Sequence, residues 1–253
     1  MPLTPRQAVE IFHLQFLRVL NAGPGNRHLI VKGGCNLRFF FQSVRYSEDL
    51  DCDVVTIAKE TLQRKIHKIL SSPPLIPILK THGLSIDQVS APKQTETTQR
   101  WKVALTMPGW ATPIRTRLEF SRRGASSAVA FEPIDGEIAR SYGVTPPLAH
   151  HYTDAEAVRQ KIHALAARTE TQARDVFDLH LLFARRRLEV PREDALKDMA
   201  RQAIERARSL SFDEYAGQVV AFLVPEHADL YGSKAHWEAM QCDVATSLKD
   251  LAR

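Results

Sequence analysis

The hydrophobic pattern changes character once along the chain, near residue 135, and this change limits the fold more than any other feature. Before it, strand-like and helix-like stretches alternate. Apolar residues three and four apart (Val9, Phe12, Phe16, Leu17, Leu20) predict a helix over 6–20, stopped by Asn21-Ala22-Gly23-Pro24-Gly25. His28 to Val31 reads as a buried strand, 36–42 as a short buried helix, and 50–55 as a strand with one wet face. A helix is expected over 57–70, with Arg64, Lys65, His67 and Lys68 toward the C-terminal end, where the helix dipole favours cations. A short helix over 75–82 closes at Gly83. Strands over 100–106 and 114–120 then flank a hairpin turn at Met107-Pro108-Gly109-Trp110, and Arg122-Arg123-Gly124-Ala125-Ser126-Ser127 reads as loop. After the change, helices are predicted over 135–141, 154–168, 172–187, 191–208 and 213–223, with no strand, and His150-His151 is expected in a loop. Pro146-Pro147 is the predicted hinge. The class expected is therefore α+β: a small mixed-sheet core over 1–146, followed by a helical domain over 147–253.

Composition sets the outer limits. The 253 residues are 44% hydrophobic and 25% charged, ordinary globular proportions that exclude wholesale disorder. Cys35, Cys52 and Cys242 are odd in number and scattered, which argues against a disulfide framework or structural zinc site and suits a reducing, cytoplasmic setting. The first residues lack the pattern of a signal peptide, and no apolar run is long enough to span a bilayer. A net charge of +5 permits a polyanionic partner without requiring one.

Two constellations carry chemistry. In the first, Lys32-Gly33-Gly34 ends an apolar strand, and Ser47-Glu48-Asp49-Leu50-Asp51 follows. Glycines lack a Cβ and let the backbone approach a bulky anion, while the amides opening the next helix suit a phosphate. Asp49 and Asp51, two apart on a strand, point to one face. Like charges held this close call for a cation between them, and a hard divalent ion with oxygen ligands, such as magnesium, is the natural occupant. Asp53 extends the same face, either as a third member or as a solvated residue. Taken singly, paired glycines mark turns and alternating aspartates mark wet strands. Their succession is what singles them out.

The second constellation lies in the helical half. Lys161, Ala164 and Arg168 share one helix stripe, and Asp175 and Asp178, three apart in Arg174-Asp175-Val176-Phe177-Asp178-Leu179, share a face of the next helix. On amphipathic helices such residues are ordinarily solvated, so this block alone points to nothing specific.

Taken in order, Lys32-Gly33-Gly34 with Leu37-Arg38, Arg45-Tyr46-Ser47-Glu48-Asp49-Leu50-Asp51, Lys161-x-x-Ala164-x-x-x-Arg168 and Arg174-Asp175-x-x-Asp178-Leu179 resemble the AbiEii/AbiGii nucleotidyltransferase-like toxin family, part of the polymerase-beta-like nucleotidyltransferase superfamily. The resemblance implies a nucleotidyltransferase core over 1–146 and a helical domain over 147–253 that completes the active-site cleft. It also implies the toxin of a bacterial toxin–antitoxin or abortive-infection pair, its antitoxin encoded as a separate chain. Some related toxins transfer nucleotides to the 3′ end of tRNA and so block translation. Carried onto this chain, Lys32, Gly33, Gly34, Arg38, Ser47 and Arg174 would bind the nucleoside triphosphate. Asp49 and Asp51 would hold magnesium or manganese, with Glu119 of Arg117-Leu118-Glu119-Phe120 as the third carboxylate the superfamily usually has. Lys161, Asp175 and Asp178 would join Asp49 and Asp51 as catalytic residues.

The acceptor is the least constrained part of this reading. Arg168, Arg174 and Arg185-Arg186-Arg187 are candidates for contacts to a tRNA backbone, and also read as solvated helix ends. A small molecule or a protein could take the nucleotide instead, and a catalytically silent nucleotide-binding module is the rival from another class. The intact Asp49/Asp51 and Lys161/Asp175 sets argue against silence, since a degenerate copy has no physical need to keep adjacent like charges.

Overall fold

A computed structural model describes residues 3–23, 26–122, 124–185, 188–191 and 193–253. The chain divides into two compact units: one holds Tyr46–Tyr152 and the residues up to Gln42, the other Ser43–Arg45 and Thr153–Arg253.

The first unit opens with α1 (Pro5–Ala22), started by a capping box between Thr4 and Gln7 with Pro5 in the first turn. Next come β1 (Leu29–Lys32), α2 (Gly33–Phe40), β2 (Asp49–Val54), α3 (Lys59–Leu70), α4 (Ile76–Thr81), β3 (Ser85–Gln94), β4 (Thr98–Thr106), β5 (Ile114–Ser121), β6 (Val129–Pro133), α5 (Gly136–Ser141) and β7 (Leu148–Tyr152). The strands form one mixed sheet in the order β3-β4-β5-β2-β1-β7-β6, parallel at β2/β5 and β1/β7. Alternation along β2 sends Leu50, Cys52 and Val54 to one face, where they join Trp101, Val103, Leu118 and Phe120 in a core closed by Phe12 and Phe16 of α1 and Leu62 and Ile66 of α3. The aspartates of β2 therefore lie on the opposite face.

The helix expected over 36–42 begins earlier, at Gly33, because β1 runs into α2 with no intervening loop. Three strands, β3, β6 and β7, lie where none was predicted. β3 is polar and mostly exposed; it is held by pairing to β4 at the sheet edge, with register shifts at Ile86/Gln88 and Ser90/Lys93, rather than by burial. β7 includes His150-His151, which is not loop: His150 stacks on Phe131 at 4.4 Å and His151 on Phe40 at 3.7 Å, so both rings act as aromatic packing groups. Because β7 pairs with β1, the division between units falls after Tyr152 rather than at residue 147.

In the second unit, α6 (Asp154–Ala167), α7 (Ala173–Phe183), α8 (Asp194–Ser209) and α11 (Lys234–Leu251) pack together, with α9 (Phe212–Gln218) and α10 (Ala228–Tyr231) between the last two in sequence. Ile162, Leu165, Phe177, Ala203, Trp237 and Val244 are buried there, and Tyr215 stacks on Trp237 at 4.4 Å. The short α8 side chains Ala200, Ala203 and Ala207 allow close helix approach. No range was predicted for α11, although Trp237, Met240, Val244 and Leu248 recur at helical spacing. Segment 43–45 belongs to this unit through an isolated bridge from Arg45 to Leu223 and a bond from the Val224 amide to the Val44 carbonyl at 2.8 Å.

Candidate active site

The polar face of the sheet gathers the first constellation by strand register. On β2, Asp49 lies opposite Arg117 of β5, and Asp51 lies opposite Glu119 of β5 and Lys32 of β1. Directly paired residues share a face, so Asp49, Asp51, Glu119 and Lys32 form one patch. Gly33 turns the chain from β1 into α2 with φ +66°, in the left-handed region, and a Cβ there would lie 3.0 Å from Asp51 Oδ2. The backbone conformation thus favours glycine at this point, and a Cβ would push the Asp51 carboxylate aside by a few tenths of an ångström.

Each carboxylate has a distinct environment. Asp49 is gripped by Arg117, whose Nε donates to both carboxylate oxygens at 3.0 Å and whose Nη2 also contacts Oδ2. The bond to Asp49 holds the Arg117 guanidinium above its ordinary value. Glu119 accepts from Arg100 Nε at 2.7 Å. Asp53 is buried, and accepts from Lys32 Nζ at 2.5 Å and from the Tyr152 hydroxyl at 2.7 Å. It is therefore not a solvated end of the Asp face, and Lys32, expected to bind nucleotide, is engaged by it.

The backbone that carries Asp49 is clamped from below. Its carbonyl accepts from Ser47 Oγ at 2.9 Å and Cys35 Sγ at 3.2 Å, and the Glu48 carbonyl accepts from Thr116 Oγ1 at 2.7 Å. Since the Thr116 hydrogen is committed to that carbonyl, His13 Nε2, 2.8 Å away, must donate to Thr116. Burial pushes His13 down to about 4, consistent with a neutral ring donating through Nε2. Arg38, also expected at the nucleotide, donates to Glu10 at 2.6 and 3.1 Å and lies over the Tyr46 ring.

The donor set on this face consists of carboxylate oxygens alone, which fits a hard divalent cation, and the guanidinium on Asp49 already shows that the site accepts positive charge. Among the described residues, no three His, Cys, Asp or Glu side chains converge into a metal cage. The residues suited to a metal are Asp49 and Asp51, with Glu119 adjacent in register.

Within the second unit, the second constellation is a buried ionic network. Lys161 Nζ donates to Asp175 Oδ1 at 2.8 Å and pairs with Asp178 Oδ2 at 2.5 Å. Arg45 Nη2 reaches both oxygens of Asp178 at 3.3 and 3.2 Å, and Arg168 Nη1 lies 3.1 Å from Asp175 Oδ2. Asp175 and Asp178 are fully buried. Burial pushes the Asp178 carboxyl up, but Arg45 and Lys161 outweigh it and hold the group below its ordinary value. Arg174 is half-buried. Arg185 pairs with Asp154, while Arg186 and Arg187 fall outside the described residues.

Arg117 and Arg45 were missed as site residues. Arg117 had a local signal, since Arg115, Arg117 and Glu119 alternate on β5 and must share a face. Arg45 opens the Arg45-to-Asp51 block, but nothing local shows its ion pair, because the partner lies 133 residues away.

The first unit thus sets a Gly-Gly turn from strand to helix beside paired aspartates on the polar face of a mixed sheet. The family profile described as "Nucleotidyl transferase AbiEii toxin, Type IV TA system" matches residues 15–250, and the chain belongs to this family. It is thus a nucleotidyltransferase of a toxin–antitoxin toxin family, a class that generally uses a nucleoside triphosphate and a divalent metal. Solved structures share the fold. MenT4, a nucleotidyltransferase toxin from Mycobacterium tuberculosis H37Rv, superposes with a TM-score of 0.60 at 19% identity, over 96% of this chain and 84% of that one. JHP933 from Helicobacter pylori gives 0.57 at 17% identity, over 99% and 96%. A candidate nucleotidyltransferase from H. pylori gives 0.55 at 19%, over 96% of both chains. No curated protein matches the chain significantly. Among the described residues, no helix is long and apolar enough to cross a membrane.

Proposed function

We propose that this chain is a cytoplasmic toxin that transfers a nucleoside monophosphate from a triphosphate to the 3′ end of tRNA with magnesium as cofactor, blocking translation until a separately encoded antitoxin counters it. The observation that carries this reading is the Asp49/Asp51 pair beside the Gly33 turn on one open sheet face. Gly33 and Gly34 let the triphosphate approach the backbone at the start of α2. Magnesium, when held by Asp49 and Asp51, supplies Lewis-acid stabilisation of charge on the phosphate oxygens. The acceptor hydroxyl forms a bond to the α-phosphorus as the bond to the β-phosphate oxygen breaks and pyrophosphate leaves. A carboxylate of the Asp face takes the hydroxyl proton; Asp175 is fully buried in ion pairs and poorly placed for that role. Ser47 and Cys35 keep Asp49 in place by holding its carbonyl. Lys161, Asp175, Asp178 and Arg174 are required residues of the helical unit in this proposal.

The test is to incubate the protein with total bacterial tRNA, magnesium and each α-labelled triphosphate, beside Asp49→Ala. Label in tRNA from the wild type alone supports the proposal and names the nucleotide. Triphosphate binding without RNA labelling moves the acceptor to a protein or small molecule, and absence of triphosphate binding favours a silent module.

A further inference from the structure

The cations singled out around the first constellation from sequence are engaged: Lys32 by Asp53, Arg38 by Glu10. Two cations beside Asp49 are different. Lys102 on β4 and Arg115 on β5 are exposed and make no ion pair among the described residues. Sheet register puts them on the Asp49 face: Lys102 lies opposite Arg117, which lies opposite Asp49, and Arg115 is two residues from Arg117 on the same strand. Together with Gln88 and Ser90 of β3 they line a groove of about 470 Å³ that reaches Asp49.

The charge of this groove is balanced. Lys102, Arg115 and Arg117 face Glu48, Asp49 and Asp87, three cations against three carboxylates. Arg117 is also turned onto Asp49, so the Nε and Nη2 edge of its half-exposed guanidinium is not offered to a ligand. A divalent ion taking the Asp49 carboxylate changes both conditions. Arg117 would then be free to turn into the groove, whose lining would become net positive.

We propose that the groove lined by Lys102, Arg115 and Arg117 is a phosphate-binding site gated by Arg117, closed while Arg117 holds Asp49 and opened when a divalent cation takes Asp49. The ligand class is a chain of phosphate oxygens, supplied by a phosphodiester strand or by a polyphosphate. The inference rests on the proposed metal role of Asp49 and deepens it, ordering the ligands so that metal precedes the anion. By linkage, each tightens the other by the same factor.

The test uses the whole chain and reads binding. Mn²⁺ affinity is measured by electron paramagnetic resonance of the free ion. Anion affinity is measured by anisotropy of a short fluorescent single-stranded RNA with a 5′-hydroxyl, and by calorimetry with inorganic tripolyphosphate, each with Mn²⁺ and with EDTA. The wild type should bind an anion about tenfold more tightly with Mn²⁺. K102A/R115A should lose about tenfold in anion affinity in Mn²⁺ while binding Mn²⁺ alone as the wild type does. Arg117→Gln should bind Mn²⁺ about threefold more tightly without anion, because a partly exposed competing pair is removed. Arg117→Lys, which keeps the charge without the fork, should fall between. RNA sensitivity to K102A/R115A identifies an acceptor strand as the ligand, and sensitivity of tripolyphosphate alone identifies the triphosphate. Unchanged or weaker Mn²⁺ binding in Arg117→Gln, or anion affinity indifferent to Mn²⁺, overturns the gate. A chain that shows the coupling yet labels no RNA fails the transfer proposal alone; one that labels tRNA without the coupling fails the gate alone.

Discussion

Replacing Asp178 by Asn removes one buried negative charge and leaves its shape. Asp178 is fully buried, accepts twice from Arg45 at 3.2–3.3 Å and pairs with Lys161 at 2.5 Å. Without the charge, Arg45, itself buried, faces a neutral amide, and Lys161 retains only Asp175. Removing one partner of a buried ion pair costs about 3–5 kcal/mol, chiefly because the other charge stays buried and uncompensated. At about 2–4 °C per kcal/mol for a chain of this size, the unfolding midpoint should fall by about 6–20 °C. Calorimetry and urea titration of the wild type, Asp178→Asn, Arg45→Met and the double variant measure it. The double variant should be less destabilised than the sum of the singles, because both single changes remove the same ion pair. Acid should erase the difference. The folded carboxyl titrates below its unfolded value of about 3.9, so its stabilisation is complete above that pH and is lost as pH falls through the lower folded value. A loss under about 1 kcal/mol, or strict additivity, would refute the view of this network as mutually compensating charges.

Four further outcomes concern the first unit and the cysteines. Gly33→Ala should lower stability by about 1–2 kcal/mol, because of the left-handed φ, and impair transfer by crowding Asp51; wild-type stability and activity in this variant count against the glycine argument. Tyr152→Phe should cost about 1–3 kcal/mol in chemical denaturation by removing the hydroxyl from buried Asp53. His13 stays neutral in the fold down to about 4, whereas the unfolded ring charges near 6.5, so stability should decline as pH falls through that window; His13→Gln should flatten the decline in a pH series of urea midpoints. Burial raises the Cys35 and Cys52 thiols and leaves Cys242 exposed, so a thiol reagent should titrate one cysteine in the native protein and all three after denaturation.

The period-two alternation through β2 was enough to place Asp49, Asp51 and Asp53 on one face and Leu50, Cys52 and Val54 on the other. The Gly-Gly after an apolar run likewise marked the turn into a helix. Spacing of three put Asp175 and Asp178 on one helix face. These are local regularities: backbone geometry converts residue spacing directly into direction, whatever the rest of the chain does. Local reasoning failed where packing changed a residue's character. β3 is polar enough to read as loop and is a strand only because β4 offers it hydrogen bonds. His150 and His151 read as polar and serve as stacked rings.

By itself, then, the sequence determined the α+β class, the Asp face and its metal-suited chemistry, and the shared helix face of Asp175 and Asp178. Tertiary structure alone decided which charges are engaged. Parallel register set Glu119 beside Asp51 and Arg117 on Asp49, while Lys32 and Tyr152 took Asp53 out of the exposed set. Arg45 reached Asp178 across most of the chain. The physical reason is that a side chain's direction depends on its near neighbours in sequence, whereas its desolvation and its counter-ion depend on which distant strand or helix the fold brings against it.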